Sequence, residues 1–251
     1  MSVRQHMFIR PPHLRVAQSV CVAIVLLVGV GRDFPCCAQE RVLPFYSLPA
    51  DGQWVTFDWT AVKRSGRRTR GTLRMSAVGR ERIGGRVYRW VELSLESKSG
   101  DRTIRRVRRL LLRDDLFKSP GLSLQKAVLK SIGRDEPSGV IAPLSAREIN
   151  NLLGLGFDGS RAKVRRSAKP ESMKTPLGKL VVRRLVAEQK QSTRTLVYTG
   201  YLTARIPFGL ARFEVRERRG DAAPQLRFSA TVRAVGKNAK SRLPASKNVR
   251  H

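Results

Sequence analysis

The stretch VYRWVELSLESKSGDRTIRRVRRLLL, Val87–Leu112, decides the fold. Its first half alternates with period two, which is the signature of a strand with one buried face. Val87, Val91, Leu93 and Leu95 take one side, and Glu92, Ser94 and Glu96 the other. Tyr88 and Trp90 share that second side, so it is not wholly solvated. In the middle, KSGD reads as a two-residue turn at Ser99-Gly100 that pairs Lys98 with Asp101. This register sets Leu95 opposite Ile104 and Trp90 opposite Arg109, where a guanidinium can lie on an indole. The second half fits two periods, because Ile104, Val107 and Leu111 also share a helix face. The preceding turn selects the strand, and the whole stretch becomes an antiparallel hairpin.

The same alternation runs outward in both directions. QWVTFDWTAV (53–62) places Val55, Phe57, Trp59 and Ala61 on one face, and TLRMSAV (72–78) does so with Leu73, Met75 and Ala77. Further strands follow at KLVVRRLVA (179–187), RTLVYTGYLTARI (194–206), LARFEVRER (210–218) and QLRFSATVRAV (225–235). In IPFGL (206–210), Pro207 and Gly209 mark a sharp corner, and Phe208 plugs the core or rims a pocket.

The middle reads as helical. LSLQKAVLKSIGR (122–134) carries Leu124, Ala127, Val128, Ser131 and Ile132 at helical spacing, with Gly133 at its end. PLSAREINNLLG (143–154) has a capping box, Ser145 and Glu148, and a staple, Leu144 and Ile149. Residues 158–174 are almost devoid of apolar side chains and read as an exposed loop. These elements predict an α+β fold: a curved antiparallel sheet of about eight strands with two short mid-chain helices packed on one face. The domain spans 54–235, after an extension at 39–53 and before a disordered basic tail at 236–251.

The first 38 residues read as a secretory signal peptide. Arg4, Arg10 and Arg15 precede an uncharged run, Val16–Gly31, and small residues follow, with cleavage after Ala38. The apolar run is short for a span, which needs roughly 20 residues; an uncleaved membrane anchor is the alternative. Phe34-Pro35 before the cysteine pair speaks against lipidation. Cys21, Cys36 and Cys37 all leave with the leader, so the mature chain carries no thiol. The protein is expected in the periplasm or outside the cell.

Four of the 50 Lys and Arg residues and one of the 19 acids leave as well, so 46 basic residues face 18 acidic ones. Such an excess attracts anionic envelope polymer, lipid head groups or nucleic acid, and export puts nucleic acid in the wrong compartment. Two basic stretches offer anion-binding candidates: Lys63, Arg64, Arg67, Arg68 and Arg70 in the first, and Arg161, Lys163, Arg165 and Arg166 in the second. Arginine-rich composition on solvated loops is the plainer account of them.

Catalytic chemistry is poorly supplied. The only histidine after the leader is His251, the last residue, where an imidazole cannot be oriented. Asp114-Asp115 fits a turn. Ser123 and Lys126 match S-x-x-K without its companion motifs. No phosphate-binding loop, dinucleotide fingerprint or metal-ligand cluster occurs, so no cofactor is expected and the protein reads as non-enzymatic. A carboxylate-only enzyme is the third possibility.

With YRWVELSLES, TPLGKLVV and IPFGLARFEV in place, the layout from Trp54 to Val235 resembles the periplasmic lipoprotein carriers of the LolA/LolB type, and uncharacterised secreted bacterial proteins of similar layout. The resemblance implies an open curved sheet around helices, with an apolar concave surface for acyl chains. A lipid or other amphiphile is then the expected ligand. Phe57, Trp59, Val91, Leu93, Ile149, Leu153, Tyr198 and Phe208 are candidate lining residues; the same residues would serve as plain core.

The leader reading gives a direct prediction. N-terminal sequencing of protein isolated from its native host should start at Gln39, and thiol titration should find none. A sequence beginning at Met1 with three titratable thiols would contradict cleavage of the leader.

Overall fold

The computed structural model describes residues 45–99, 102–117, 127–136, 139–145, 148 and 162–243. Twelve strands run in chain order: β1 (Trp54–Val62), β2 (Arg68–Ile83), β3 (Arg86–Ser99), β4 (Arg102–Arg113), β5 (Val128–Glu136), β6 (Ile141–Pro143), β7 (Ala162–Arg166), β8 (Glu171–Thr175), β9 (Gly178–Gln191), β10 (Arg194–Leu202), β11 (Leu210–Arg218) and β12 (Gln225–Gly236). All pairings are antiparallel, in the order β6-β5-β4-β3-β2-β1-β12-β11-β10-β9-β7, with β8 also on β9. Two meanders therefore meet where the first strand pairs with the last.

The eight strands read from alternation are all present. The α+β reading is overturned: among the described residues no helix reaches seven residues, and the sheet has twelve strands. The first expected helix is a strand from Val128 onward. β5 is covered on both faces only around Ile132 and Gly133, while Leu129 is 44 % exposed, so its apolar residues do not alternate. Ile132 packs in the outer cluster, while on the other face Gly133 fits flush against the Leu144 and Arg108 side chains. A short apolar run covered on both faces carries no reliable period. The long ladder of β4 also needs a partner, which β5 provides. Of the second helix, Pro143, Leu144 and the capping box lie within the described residues, with Pro143 ending β6 and Leu144 buried. Ser145 N donates to Glu148 Oε2 at 3.0 Å, and Glu148 N donates to Ser145 Oγ at 3.2 Å.

The segment read as an exposed loop over 158–174 holds β7 and β8, both paired to β9. They are polar because they are edge strands, where charge discourages further pairing. Val164 and Met173 are the apolar exceptions, and both pack against the core. The β3–β4 hairpin closes two residues from the expected register. Ser99 lies opposite Arg102, Leu95 opposite Arg106 and Trp90 opposite Leu111. A two-residue slip keeps every side chain on its face, so Arg109 still lies over Trp90, 4.6 Å from the ring centre, as a diagonal neighbour.

The sheet curls around one core. Trp59 on β1 stacks on Phe228 of β12, at 6.0 Å; Phe228 meets Phe213 of β11, at 5.9 Å; Phe213 stacks on Tyr198 of β10, at 6.5 Å. Each ring has a small residue directly across on at least one side, with Val215 opposite both Tyr198 and Phe228. Trp59 faces Ala230 and Gly71, Phe213 faces Gly200 and Ala230, and Tyr198 faces Ala187. At Gly71 an added Cβ would run into the Glu96 carbonyl and lie 2.8 Å from the Trp59 ring. The corner is fixed by the segment before β1. Phe208 holds a positive φ of 68°, is fully buried, and packs edge-on to Phe45 at 6.0 Å; Tyr46 N donates to its carbonyl at 2.7 Å. Toward β4 the inner face becomes ionic, with Arg108 and Arg106 reaching Asp135 at 2.5 and 3.5 Å.

A second apolar cluster lies on the outer face: Tyr88, Trp90, Val107, Leu111, Ile132 and Leu243. Residues 237–243, expected as part of a disordered tail, strap across it. Buried Glu92 accepts from Ser241 Oγ at 2.7 Å and from Arg242 N at 3.0 Å, and Arg109 donates to Ser241 Oγ at 3.0 Å. Residues 244–251 lie outside the described residues. This strap is why Tyr88 and Trp90 can share the face of Glu92.

The aromatic ladder predicts that Phe213→Ala lowers stability by about 3–5 kcal/mol, and that Gly71→Ala costs about 1–3 kcal/mol although it adds one methyl group. Urea unfolding midpoints measure both. A neutral Gly71→Ala would contradict the close approach at Trp59.

Candidate anion-binding site

The turns β1–β2, β9–β10 and β11–β12 gather at one end of the sheet, as the registers require: Ala61 faces Phe228, Glu217 faces Gln225, Thr195 faces Arg218 and Lys190. Glu217 is the last inward-facing position of β11. Its side chain is 4 % exposed and four arginines surround it. Arg219 Nε lies 2.8 Å from Oε1, Arg227 Nε 3.3 Å from Oε2, Arg64 Nη2 3.6 Å from Oε1 and Arg194 Nη1 3.7 Å from Oε2. Four guanidinium groups thus share one carboxylate. Burial alone would raise the Glu217 pKa; the Arg219 hydrogen bond and the charges of Arg227 and Arg64 overcome it and hold the carboxyl below its usual range.

Two of these arginines are fixed further. Arg194 Nε donates to Gln191 Oε1 at 2.6 Å, and Arg227 Nη2 to Gln225 Oε1 at 3.1 Å. Beside them opens a cleft of about 680 Å³ lined by Lys190, Arg194 and Arg218, with Ser192 and Thr193 in the turn and Asp221 opposite. Along the rim, Arg70 on β2 stands directly opposite Lys98 on β3, a like-charge pair that opposes pairing.

The first basic stretch lies at this end. Lys63 N donates to Arg67 O at 2.9 Å, closing the β1–β2 turn that presents Arg64, with Arg68 and Arg70 leading into β2. In the second, Lys163, Arg165 and Arg166 lie on β7 beside β9, and Lys163 faces Glu188. Arg161 falls outside the described residues. Arg194 and Arg227 escape a sequence reading of the Glu217–Arg219 pair because they come from the ends of other strands. The turns KQSTR (190–194) and RERRGD (216–221) hold the signal, but only the strand order brings them together.

The apolar candidates converge too, as solid core. Phe57, Trp59, Val91, Leu93, Tyr198 and Phe208 belong to one cluster and are 0–6 % exposed. Ile149 and Leu153 lie outside the described residues. Phe208 fills the corner as a plug.

No protein-family model matches the chain, and no curated protein sequence does. Three solved structures show likeness in shape. A protein described as exported, with a YmcC-like fold, from Bacteroides fragilis shares 10 % identity at a TM-score of 0.35, over 77 % of this chain and 99 % of that one. A protein described as a lipoprotein from Parabacteroides distasonis shares 12 % identity at 0.32, over 76 % and 98 %. A beta-barrel-like protein of the domain of unknown function DUF1849 from Brucella abortus shares 10 % at 0.24, over 74 % and 97 %. What this chain does is therefore read from its own residues.

The carboxylate at the centre of the cluster makes a pH prediction. A lowered folded pKa stabilises the protein at pH above the unfolded value, about 4.3, and that contribution is lost as pH falls through the folded value. Glu217→Gln should destabilise by about 1–3 kcal/mol at pH 7, since the buried carboxylate accepts charged hydrogen bonds. The gap from the parent should shrink as pH falls below 4. A gap that stays constant down to pH 3 would contradict the assignment.

Proposed function

We propose that this protein is an exported, non-enzymatic module that binds an anionic polymer of the cell envelope on its arginine-rich rim. One observation carries the reading: four arginines crowd a single buried carboxylate at one end of the sheet. The site is attractive to anions even after its own acid is counted, and the opposed Arg70 and Lys98 extend it along the rim. A bound polyanion would relieve both repulsions. Export rests on the leader, with its basic start, apolar middle and small-residue exit.

Carriage of an apolar ligand, implied by the LolA/LolB resemblance, needs an open concave surface. Here the rings of Trp59, Phe213 and Phe228 occupy that surface, and a guest would have to displace them. The rim needs no such opening.

Binding to dextran sulfate, measured by fluorescence anisotropy between 50 and 300 mM NaCl, should weaken linearly on a log–log plot, with a slope of about −4 or steeper. Absence of binding at the lowest salt would overturn the proposal. So would a lipid recovered stoichiometrically by organic extraction, because it would place the ligand in the interior.

A further inference from the structure

Resting on that reading, we infer that the cluster of Arg64, Arg194, Arg219 and Arg227 over Glu217 is a discrete site for a phosphate- or sulfate-class oxyanion, at which the polymer is gripped one charged group at a time. A diffuse basic surface would need no internal carboxylate. Here Glu217 is almost wholly enclosed, whereas Arg64 and Arg194 are 62 % and 34 % exposed. The acid lies beneath its arginines and holds them in place.

The way each arginine is held matters. Arg219 and Arg227 meet Glu217 through Nε, and Arg194 spends its Nε on Gln191. Nε bonding steers the planar group, so that Arg219 directs its terminal nitrogens away from the carboxylate, while Arg227 Nη2 is held by Gln225 and Arg194 Nη1 faces Glu217. Arg64 and Arg194 stand at 3.6 and 3.7 Å from the carboxylate, too far for a short hydrogen bond to Glu217, although Arg194 is anchored at its Nε by Gln191. They can turn to an incoming anion without leaving Glu217 bare, because Arg219 and Arg227 remain on it. The adjoining cleft of about 680 Å³ gives a polymer room to continue, with Lys190 and Arg218 along its wall. Pre-set donors lower the ordering cost of binding.

The test is calorimetry of the mature protein with inorganic pyrophosphate, in parallel with dextran sulfate. The site predicts one pyrophosphate per chain. The double variant Arg64→Gln/Arg194→Gln should weaken it by roughly tenfold or more, since it removes two charge-assisted contacts. Arg219 and Arg227 stay on Glu217 in this variant, and circular dichroism with a urea midpoint checks that it folds. The control Arg82→Gln/Arg86→Gln removes the same charge from exposed positions at the opposite end of the sheet and should leave pyrophosphate binding unchanged. Equal losses in both double variants would overturn the site. If pyrophosphate does not bind while dextran sulfate still does, the discrete site is wrong and the rim reading stands. If neither binds, both are wrong. Competition by soluble polyphosphate or by phosphatidate vesicles then shows whether polymer or lipid carries the gripped group.

Discussion

The pairing of large rings with small residues across β1, β12, β11 and β10 is the constraint from which the rest of the structure follows. A strongly curved sheet brings its inward side chains together, and rings at directly opposed positions would collide. Here the rings run diagonally, with glycine or alanine across from each. That arrangement lets the sheet curl until Trp59, Phe228, Phe213 and Tyr198 form one continuous layer. It also joins the two halves of the chain, because the ladder crosses the seam between the first and last strands. At the rim, the contact of Arg64 with Glu217 depends on that seam.

The described apolar candidates are buried against one another, and the binding function proposed for this chain lies at the rim. The curl draws hairpin ends together, and the ends that meet are basic. One buried carboxylate there keeps four guanidinium groups from dispersing, and its own ionised form is favoured in return. At the other face of the sheet, the strap 237–243 does the complementary work. It covers the outer cluster with Leu243 and satisfies Glu92 with backbone and hydroxyl donors.

Alternation was legible wherever one face of a strand is wet. β1 and β12 are the clearest cases, and all eight alternating segments are strands. It failed where that condition fails. In β5 both faces are covered around Ile132 and Gly133 while Leu129 is exposed, so the apolar pattern drifted into helical spacing. At Ala162–Arg166 and Glu171–Thr175 the strands lie at the edge and are too polar to show a period. The hairpin register missed by two residues because the turn sequence fits neighbouring positions equally, whereas Val91 opposite Leu110 sets it through packing. The apolar candidates were grouped correctly in space, but sequence cannot distinguish a lined cavity from a filled one. At the rim, Arg64 was singled out from its basic stretch. The grouping of Arg194 and Arg227 with the Glu217–Arg219 pair was invisible, because it exists only once the strands are in order.

Arginine Nε–Hε and aromatic resonances, followed by NMR during a polyphosphate titration, test the central claim most directly. The account predicts shifts in the guanidinium signals of Arg64, Arg194, Arg219 and Arg227, with the rings of Phe57, Trp59, Phe213 and Phe228 unmoved. Shifts in those rings while the four arginines stay still would place the ligand inside the sheet and contradict it.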